Sequence, residues 1–114
     1  PRIAMLSYSN FGSVEGNIPI KVRDAVATLH RDHPDLIVDG DMQANFAINN
    51  EMLTEHFPFS KLVGAAANTL IFPYLTAGNI AYKLIQELAG AEAIGPILMG
   101  LDKSIHVLQM VSSV

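Results

Sequence analysis

Short apolar runs alternate with longer amphipathic segments along the chain. The runs are typical of buried strands, and the segments between them carry apolar residues at helical spacing. The predicted strands are residues 2–8, 36–38, 69–72, 94–99 and 105–108. Pro96 lies inside the fourth of these runs and has no N–H to donate, so we expect that strand at a sheet edge or with an interruption.

Two helices are predicted between the first three strands. The first has Asn17 as its cap and Pro19 in its first turn, and it ends before Pro34. The residue before a proline is restricted to extended conformations, which is why the helix stops there. The second covers residues 43–57, and Pro58 ends it.

A third helix follows the strand at residues 69–72. Thr76 is its predicted cap, and Gly90 supplies the left-handed exit. Its apolar face comprises Ala77, Ala81, Leu84 and Leu88. Strands that alternate with helices predict an α/β fold with helices on both faces of a sheet. The last two strands are joined by a short link, so we expect a mixed, mostly parallel sheet.

Composition favours a packed domain and argues against several classes of partner. Half of the 114 residues are hydrophobic and 16% are charged, which predicts a folded core. The seven lysines and arginines are scattered and the net charge is −4, which argues against nucleic acid or a membrane surface. No apolar run reaches the roughly 18–20 residues of a membrane span. The chain has no cysteine, which excludes disulfides and fits a cytoplasmic location.

Both ends of the sequence look cut. The chain opens at Pro1 without a methionine and enters a strand at once. It stops at Val114, just after Ser112 and Ser113, which would suit the start of a helix. We therefore expect residues 1–114 to be a fragment of a single domain, with both flanks missing.

A serine-rich loop follows the first strand. Ser7, Ser9, Gly12 and Ser13 stand in the sequence SYSNFGS between a strand and a helix. Hydroxyls and backbone N–H groups there can hold a phosphate or another anion near a helix N-terminus. No Walker lysine follows and GxGxxG is absent, so the pattern alone leaves an ordinary polar turn as the commoner interpretation.

The carboxylates and histidines give no metal signature. Asp35, Asp39, Asp41 and Glu51 form a cluster without the ligand spacing of a calcium loop. The sequence Asp39-Gly40-Asp41 predicts a tight turn, with Asp41 at or near a helix start. The four histidines form no HExxH motif. We therefore expect no metal site.

The most informative sequence motifs lie in residues 68–101. They read FP-x-L-x-AGN-x-x-YKL, followed by AIGPIL-x-GL, and closely resemble the phosphate acetyltransferase (phosphotransacetylase) family. The resemblance covers nearly the whole chain, including the VDGDMQ wording of residues 38–43. It implies a three-layer αβα fold of the isocitrate/isopropylmalate dehydrogenase type. It also implies acetyl transfer between phosphate and coenzyme A, with a carboxylate as base and an arginine and a serine stabilising the developing charge.

The chain departs from the family wording at two places. Family members usually carry Thr-Lys where this chain has Asn10-Phe11, so a cation beside the loop is lost. The family motif N-D-L-S-R-G corresponds to residues 106–111 of this chain. His106 stands at its first position, Gln109 in place of the serine and Met110 in place of the arginine. Loss of one preorganised donor raises a barrier by about 3–4 kcal/mol, and loss of a guanidinium can cost more. We therefore expect no acetyl transfer and assign no catalytic residue.

Two segments carry a narrower resemblance. The wording KS-I-HVLQM-x-SSV near the end and LSYSNFGS at residues 6–13 look like the C-terminal domain of hybrid malic enzymes, where it follows an NADP-linked malic enzyme domain. The resemblance implies a non-catalytic domain that assembles a homodimer or higher oligomer and makes oxidation of malate to pyruvate and CO₂ sensitive to acetyl-CoA. NADP and a divalent metal would then bind only in the missing N-terminal part.

This interpretation gives a set of ligand contacts and leaves two alternatives open. The residues expected to contact acetyl-CoA or phosphate are Ser7, Ser9, Gly12, Ser13, His106, Gln109 and Met110. One alternative is a working phosphate acetyltransferase with an altered site. The other is a ligand-free dimerisation module that uses the helix of residues 76–89. A dinucleotide-binding sheet has little support without a GxGxxG turn.

Overall fold

A computed structural model describes residues 1–105 and residue 107, and within them the chain has an α/β fold. It divides into two compact units, Pro1–Asn79 and Ile80–Val114. The elements are β1 (Arg2–Leu6), α1 (Asn17–Asp32), β2 (Ile37–Met42), α2 (Ala44–Ile48), α3 (Asn50–His56), β3 (Thr69–Ile71) and α4 (Leu75–Ala89). In this described part of the chain, none of the helices has both the length and the apolar character needed to cross a bilayer.

The sheet of the first unit has three parallel strands in the order β2-β1-β3. The chain leaves β1 through α1 to reach β2 on one side, and then passes back to place β3 on the other side of β1. Right-handed crossovers in opposite directions put their helices on opposite faces of a sheet. This explains why α1 packs against β2, while α2 and α3 cover the other face.

The main core lies between the sheet and the α2–α3 segment. Ala4 and Leu6 of β1 point to the same face because side chains alternate along a strand. They join a buried cluster whose other members are Met42, Ala47, Leu53 and Leu62. On the opposite face, Val22 and Val26 of α1 are buried. The predicted helices on both faces are therefore confirmed.

The predicted turn at Asp39-Gly40-Asp41 is wrong, because β2 continues through these residues to Met42. Both carboxylates are buried, with 6% of Asp39 and 0% of Asp41 exposed. Asp39 Oδ2 accepts hydrogen bonds from the Ser60 hydroxyl at 2.9 Å and from the Lys61 N–H at 2.8 Å. Donors from a distant part of the sequence thus satisfy the buried Asp39 carboxylate, which the predicted turn would have left in solvent.

The single helix predicted over residues 43–57 is two helices. Asn49 ends α2 and caps α3, where its Oδ1 accepts a hydrogen bond from the Met52 N–H at 3.1 Å. Asparagine favours such caps because its short side chain competes for local backbone donors. Asn50 then fixes the following loop, since its Nδ2 donates to the Leu62 and Ala65 carbonyls at 2.7 and 2.8 Å.

Both predicted helix caps are displaced. α1 begins at Asn17 with Gly16 in the cap position and without a side-chain cap, so Asn17 is not the cap. α4 begins at Leu75, one residue before the predicted cap Thr76. The exit at Gly90 is confirmed, because its φ of 63° lies in the left-handed region.

In the described part of the chain, neither of the two strands predicted near the C-terminus is formed. Residues 94–99 contain one isolated bridge residue, Ile97, and form no strand, and Pro96 has no N–H for a ladder. The prediction for residues 105–108 falls partly outside the described residues. The sheet that the structure describes is parallel at both strand pairs.

We expect Asp39→Asn to lower the free energy of unfolding by about 1–3 kcal/mol. The asparagine NH₂ group is a donor and cannot accept the hydrogen bonds that a carboxylate oxygen now receives from the Ser60 hydroxyl and the Lys61 N–H. Urea denaturation with an unchanged m-value measures this. The matched control is Asp35→Asn, since Asp35 is exposed, and it should change stability by less than about 0.5 kcal/mol. Equal effects of the two substitutions would contradict this role for Asp39.

Candidate functional site

A cavity of about 220 Å³ opens at the carboxyl ends of β1 and β3. In an open parallel sheet, the crevice between two strands whose connections run in opposite directions is where ligands bind. The order β2-β1-β3 places that switch point between β1 and β3. The residues that line the cavity are Leu6, Ser7, Tyr8, Ile18, Ala44, Phe72, Pro73, Tyr74 and Ala77.

The cavity wall is uncharged and largely apolar. Of the described residues, none that lines it is a lysine, arginine, histidine, aspartate or glutamate. Its side-chain polar groups are the hydroxyls of Ser7, Tyr8 and Tyr74, and the two tyrosines are half exposed. Such a wall suits a neutral ligand that carries a few hydrogen-bonding groups.

The backbone N–H groups of the serine-rich loop after β1 all donate hydrogen bonds within the protein. The six consecutive N–H groups from Ser9 to Val14 all have acceptors inside the protein. Those of Ser9, Asn10 and Val14 donate to serine hydroxyls of the same loop, at 2.8, 3.0 and 3.0 Å. An anion cradle needs N–H groups that point to the ligand, and here they are already engaged.

Asp41 is the acceptor around which the loop is arranged. Its Oδ1 accepts from the Gly12 N–H at 3.1 Å, and its backbone carbonyl accepts from the Phe11 N–H at 2.7 Å. Its Oδ2 lies 3.4 Å from the hydroxyl of Ser7, which in turn accepts from the Ser9 N–H at 2.8 Å. A buried carboxyl group therefore lies directly behind one of the polar groups of the cavity.

Phe11 anchors the tip of the loop to the α3 end of the fold. Its backbone adopts a φ of 48°, which costs a residue other than glycine of order 1–3 kcal/mol. Its ring centroid lies 5.0 Å from that of Phe57 and 4.9 Å from that of Phe59. Each such aromatic pair contributes about 0.5–1.5 kcal/mol, which offsets the strain. The position that carries lysine in the resembling family is thus a packing position here.

A cation does lie beside the loop, outside the cavity wall. The guanidinium of Arg23, on α1, packs against Gly12 where a Cβ would stand. Arg23 is not among the residues that line the cavity. Arg23 therefore does not supply a positive charge to the cavity wall.

The sequence-predicted site residues fall into three groups. Ser7 lines the cavity, while Ser9, Gly12 and Ser13 hold the adjoining loop together and do not line it. His106, Gln109 and Met110 lie outside the described residues. That all these residues contact a ligand stays a prediction. In the part of the chain that the structure describes, no group of acidic and histidine side chains is arranged to hold a metal ion.

Sequence reasoning missed most of the cavity wall. Tyr8, Ile18, Ala44, Tyr74 and Ala77 gave no chemical signal. Only the positions of these residues could have identified them, because each follows a strand or lies in the first turn of a helix at the carboxyl edge of the sheet.

The whole chain matches a known family and resembles proteins with two kinds of name. The sequence profile of the family described as Phosphate acetyl/butaryl transferase matches residues 1–114. The phosphate acetyltransferase of Clostridium acetobutylicum is 45% identical over 108 residues, which are 95% of this chain and 32% of that protein. The NADP-dependent malic enzyme of Rhizobium meliloti is 44% identical over 110 residues, which are 96% of this chain and 14% of that protein.

The fold matches as well. A phosphotransacetylase from Streptococcus pyogenes superposes with a TM-score of 0.90 at 43% identity, over 99% of this chain and 34% of that one. The chain thus spans about a third of the length of the phosphotransacetylases from Clostridium acetobutylicum and Streptococcus pyogenes, and 14% of the malic enzyme. The α/β fold class and the resemblance drawn from the FP-x-L-x-AGN wording are confirmed, and the chain belongs to the phosphate acetyl/butaryl transferase family.

Proposed function

We propose that this chain is part of the phosphotransacetylase-like regulatory region of an NADP-dependent malic enzyme. In that role it senses acetyl-CoA and helps to assemble the oligomer, and it does not transfer acetyl groups itself. The observation that carries the proposal is the closed serine-rich loop, whose N–H groups from Ser9 to Val14 are all engaged inside the protein.

Acetyl phosphate chemistry needs a site that stabilises phosphate oxygens. Such sites use preorganised N–H donors, arginine or lysine in a water-excluded setting. Here the donors are engaged, the described cavity wall is uncharged, and the carboxylate of Asp41 lies behind Ser7. The sequence adds Gln109 and Met110 at the positions where the family has serine and arginine. Each of these features disfavours a phosphate ligand.

The same features leave a thioester ligand acceptable. A thioester is neutral, and its recognition needs apolar surface with a few hydrogen bonds, as the cavity offers. The wording HVLQM-x-SSV favours the malic enzyme type within the family. Malate, NADP and a divalent metal would bind elsewhere in the full-length protein.

Self-association is part of the proposal because α4 has an unusually apolar surface. None of its residues is buried, and Ile80, Leu84 and Leu88 are 54%, 53% and 83% exposed. Helices with apolar residues on most sides are normally covered. Light scattering that finds a monomer of the full-length protein would remove this part of the proposal.

A second candidate is an active phosphate acetyltransferase. It is favoured by relatives of that name that match this chain as closely as the malic enzymes do. The cavity at the carboxyl edge of the sheet is also where catalytic sites of such folds lie.

We expect acetyl-CoA to alter the malic enzyme activity of the full-length protein. Coupling between two sites is typically about 1–3 kcal/mol, so the affinity for malate should change by about fivefold or more. Initial rates over a range of malate concentrations, with and without acetyl-CoA, measure the effect, and free coenzyme A serves as the control ligand. Absence of both a kinetic change and a binding heat would contradict the proposal.

Formation of acetyl phosphate from acetyl-CoA and phosphate separates the two candidates. We expect the full-length protein to be slower than an active phosphate acetyltransferase by at least about 10²–10³, since loss of one preorganised donor has an effect of that size. The assay follows release of the coenzyme A thiol in the presence of phosphate. A rapid rate that Gln109→Ala abolishes would establish the second candidate.

A further inference from the structure

We infer that the exposed ring of Phe59 is a latch that holds the serine-rich loop closed. The latch makes this loop open together with the loop of residues 57–62, which we call the aromatic loop. The contacts between the two loops, and the carboxyl groups of β2 that hold them, carry this inference. Neither the cavity nor the proposed function enters it.

β2 holds both loops through two aspartates that lie two residues apart. Asp41 Oδ1 accepts from the Gly12 N–H of the serine-rich loop at 3.1 Å. Asp39 Oδ2 accepts from the Ser60 hydroxyl at 2.9 Å and from the Lys61 N–H at 2.8 Å, both in the aromatic loop. Both aspartates are buried, and a satisfied buried network of this kind is rigid. The two loops are therefore attached to one support.

The two loops also touch each other through aromatic rings. The ring centroid of Phe11, at the tip of the serine-rich loop, lies 4.9 Å from that of Phe59, with the ring planes at 72°. This is the edge-to-face arrangement that aromatic pairs favour. The centroid of Phe57 lies 5.0 Å from that of Phe11 and 6.1 Å from that of Phe59. Although 69% of Phe59 is exposed, its ring is thus packed on the tip of the neighbouring loop.

The serine-rich loop depends on this contact because Phe11 has an unfavourable backbone conformation. Its φ of 48° lies in the left-handed region, which side chains such as phenylalanine seldom adopt. Such a conformation persists only where the surrounding contacts determine it. The Phe11 N–H donates to the Asp41 carbonyl at 2.7 Å, and the aromatic contacts fix the side chain. Without the Phe59 ring, the strained residue would have fewer contacts to hold it, and the loop would open more often.

The aromatic loop can transmit a local change because Phe59 and Ser60 belong to one tight turn. The Ser60 N–H donates to the Phe57 carbonyl at 3.0 Å. The Ser60 hydroxyl accepts from the Leu62 N–H at 3.2 Å and donates to the Asp39 carboxyl group. A rearrangement of this turn moves the Phe59 ring and thereby frees the tip of the serine-rich loop. We therefore expect the two loops to form one unit for local opening.

Amide hydrogen exchange of the full-length protein, followed by mass spectrometry, tests the latch. In Phe59→Ala, peptides that cover residues 9–14 should exchange about threefold to tenfold faster, which is the size expected for loss of one aromatic pair. Ile48→Ala is the matched control, because Ile48 is an apolar side chain that is 58% exposed on α2, outside both loops. It should leave the exchange of residues 9–14 unchanged.

Ser60→Ala tests whether the aromatic loop acts through the Phe59 ring. Loss of the hydroxyl removes one of the donors to Asp39 and should speed the exchange of residues 9–14, although Ser60 lies outside that segment. In the background of Phe59→Ala, Ser60→Ala should add no further increase, because the contact through which it acts is already absent. Such an interaction between two substitutions is what a shared contact produces.

A further variant keeps the test decisive if a truncated side chain disturbs the fold. Phe59→Leu retains most of the apolar volume and lacks the ring, so it should speed the exchange of residues 9–14 less than Phe59→Ala does.

Three results would each overturn the inference. The first is unchanged exchange of residues 9–14 in both Phe59 variants, and the second is equal exchange in Phe59→Ala and Ile48→Ala. The third is an effect of Ser60→Ala that is the same with and without the Phe59 ring, since the change would then pass along β2 from Asp39 to Asp41.

Discussion

The carboxyl edge of the sheet depends on one buried carboxylate, that of Asp41. It is fully buried at the end of β2, and burial of a charge is tolerated only when donors satisfy it. The donors come from the loop after β1, through the Gly12 N–H and the Ser7 hydroxyl. Hydrogen bonds to a charged group contribute about 1.5–3 kcal/mol each when well formed. Asp41 therefore accepts from two of the six N–H groups between Ser9 and Val14, and serine hydroxyls of the loop accept from three others.

The chemistry of the site follows from that arrangement. An N–H group that already donates inside the protein is not available to an external anion. In this chain the Gly12 N–H donates to the Asp41 carboxylate, and the other N–H groups from Ser9 to Val14 donate to serine hydroxyls and backbone carbonyls. Phe11 also holds the tip of the loop through its contacts with Phe57 and Phe59. What remains for a ligand is the neutral cavity beside Ser7. Among the described residues, those that line this cavity are uncharged and largely apolar.

Sequence reasoning identified the elements whose causes are local. The apolar run of β1 and the helical spacing of apolar residues in α1 reflect burial directly, and the bounds of both elements are close to those predicted. The left-handed glycine at position 90 is likewise a local requirement. The resemblance to phosphotransacetylases identified the fold class, which the comparisons confirm.

The errors concern interactions between residues far apart in the sequence. The Asp39-Gly40-Asp41 segment is a strand because Ser60 and Lys61 satisfy Asp39, and Gly12 satisfies Asp41. No local pattern reveals such partners, so two acids around a glycine were interpreted as a turn. The cavity wall was missed for the same reason, since it combines residues from the ends of five separate elements. The break at Asn49 is a local exception, because its side chain caps α3 through the nearby Met52 N–H and competes with helix continuation.

Amide hydrogen exchange of the loop, with and without inorganic phosphate, tests the central claim most directly. If Asp41 and the serine hydroxyls engage the loop, the amides from Ser9 to Val14 are protected, and millimolar phosphate changes neither their exchange nor their chemical shifts. In Asp41→Asn, the Gly12 amide should lose protection first. Unprotected amides in the free protein, or amides that become protected when phosphate is added, would contradict the account.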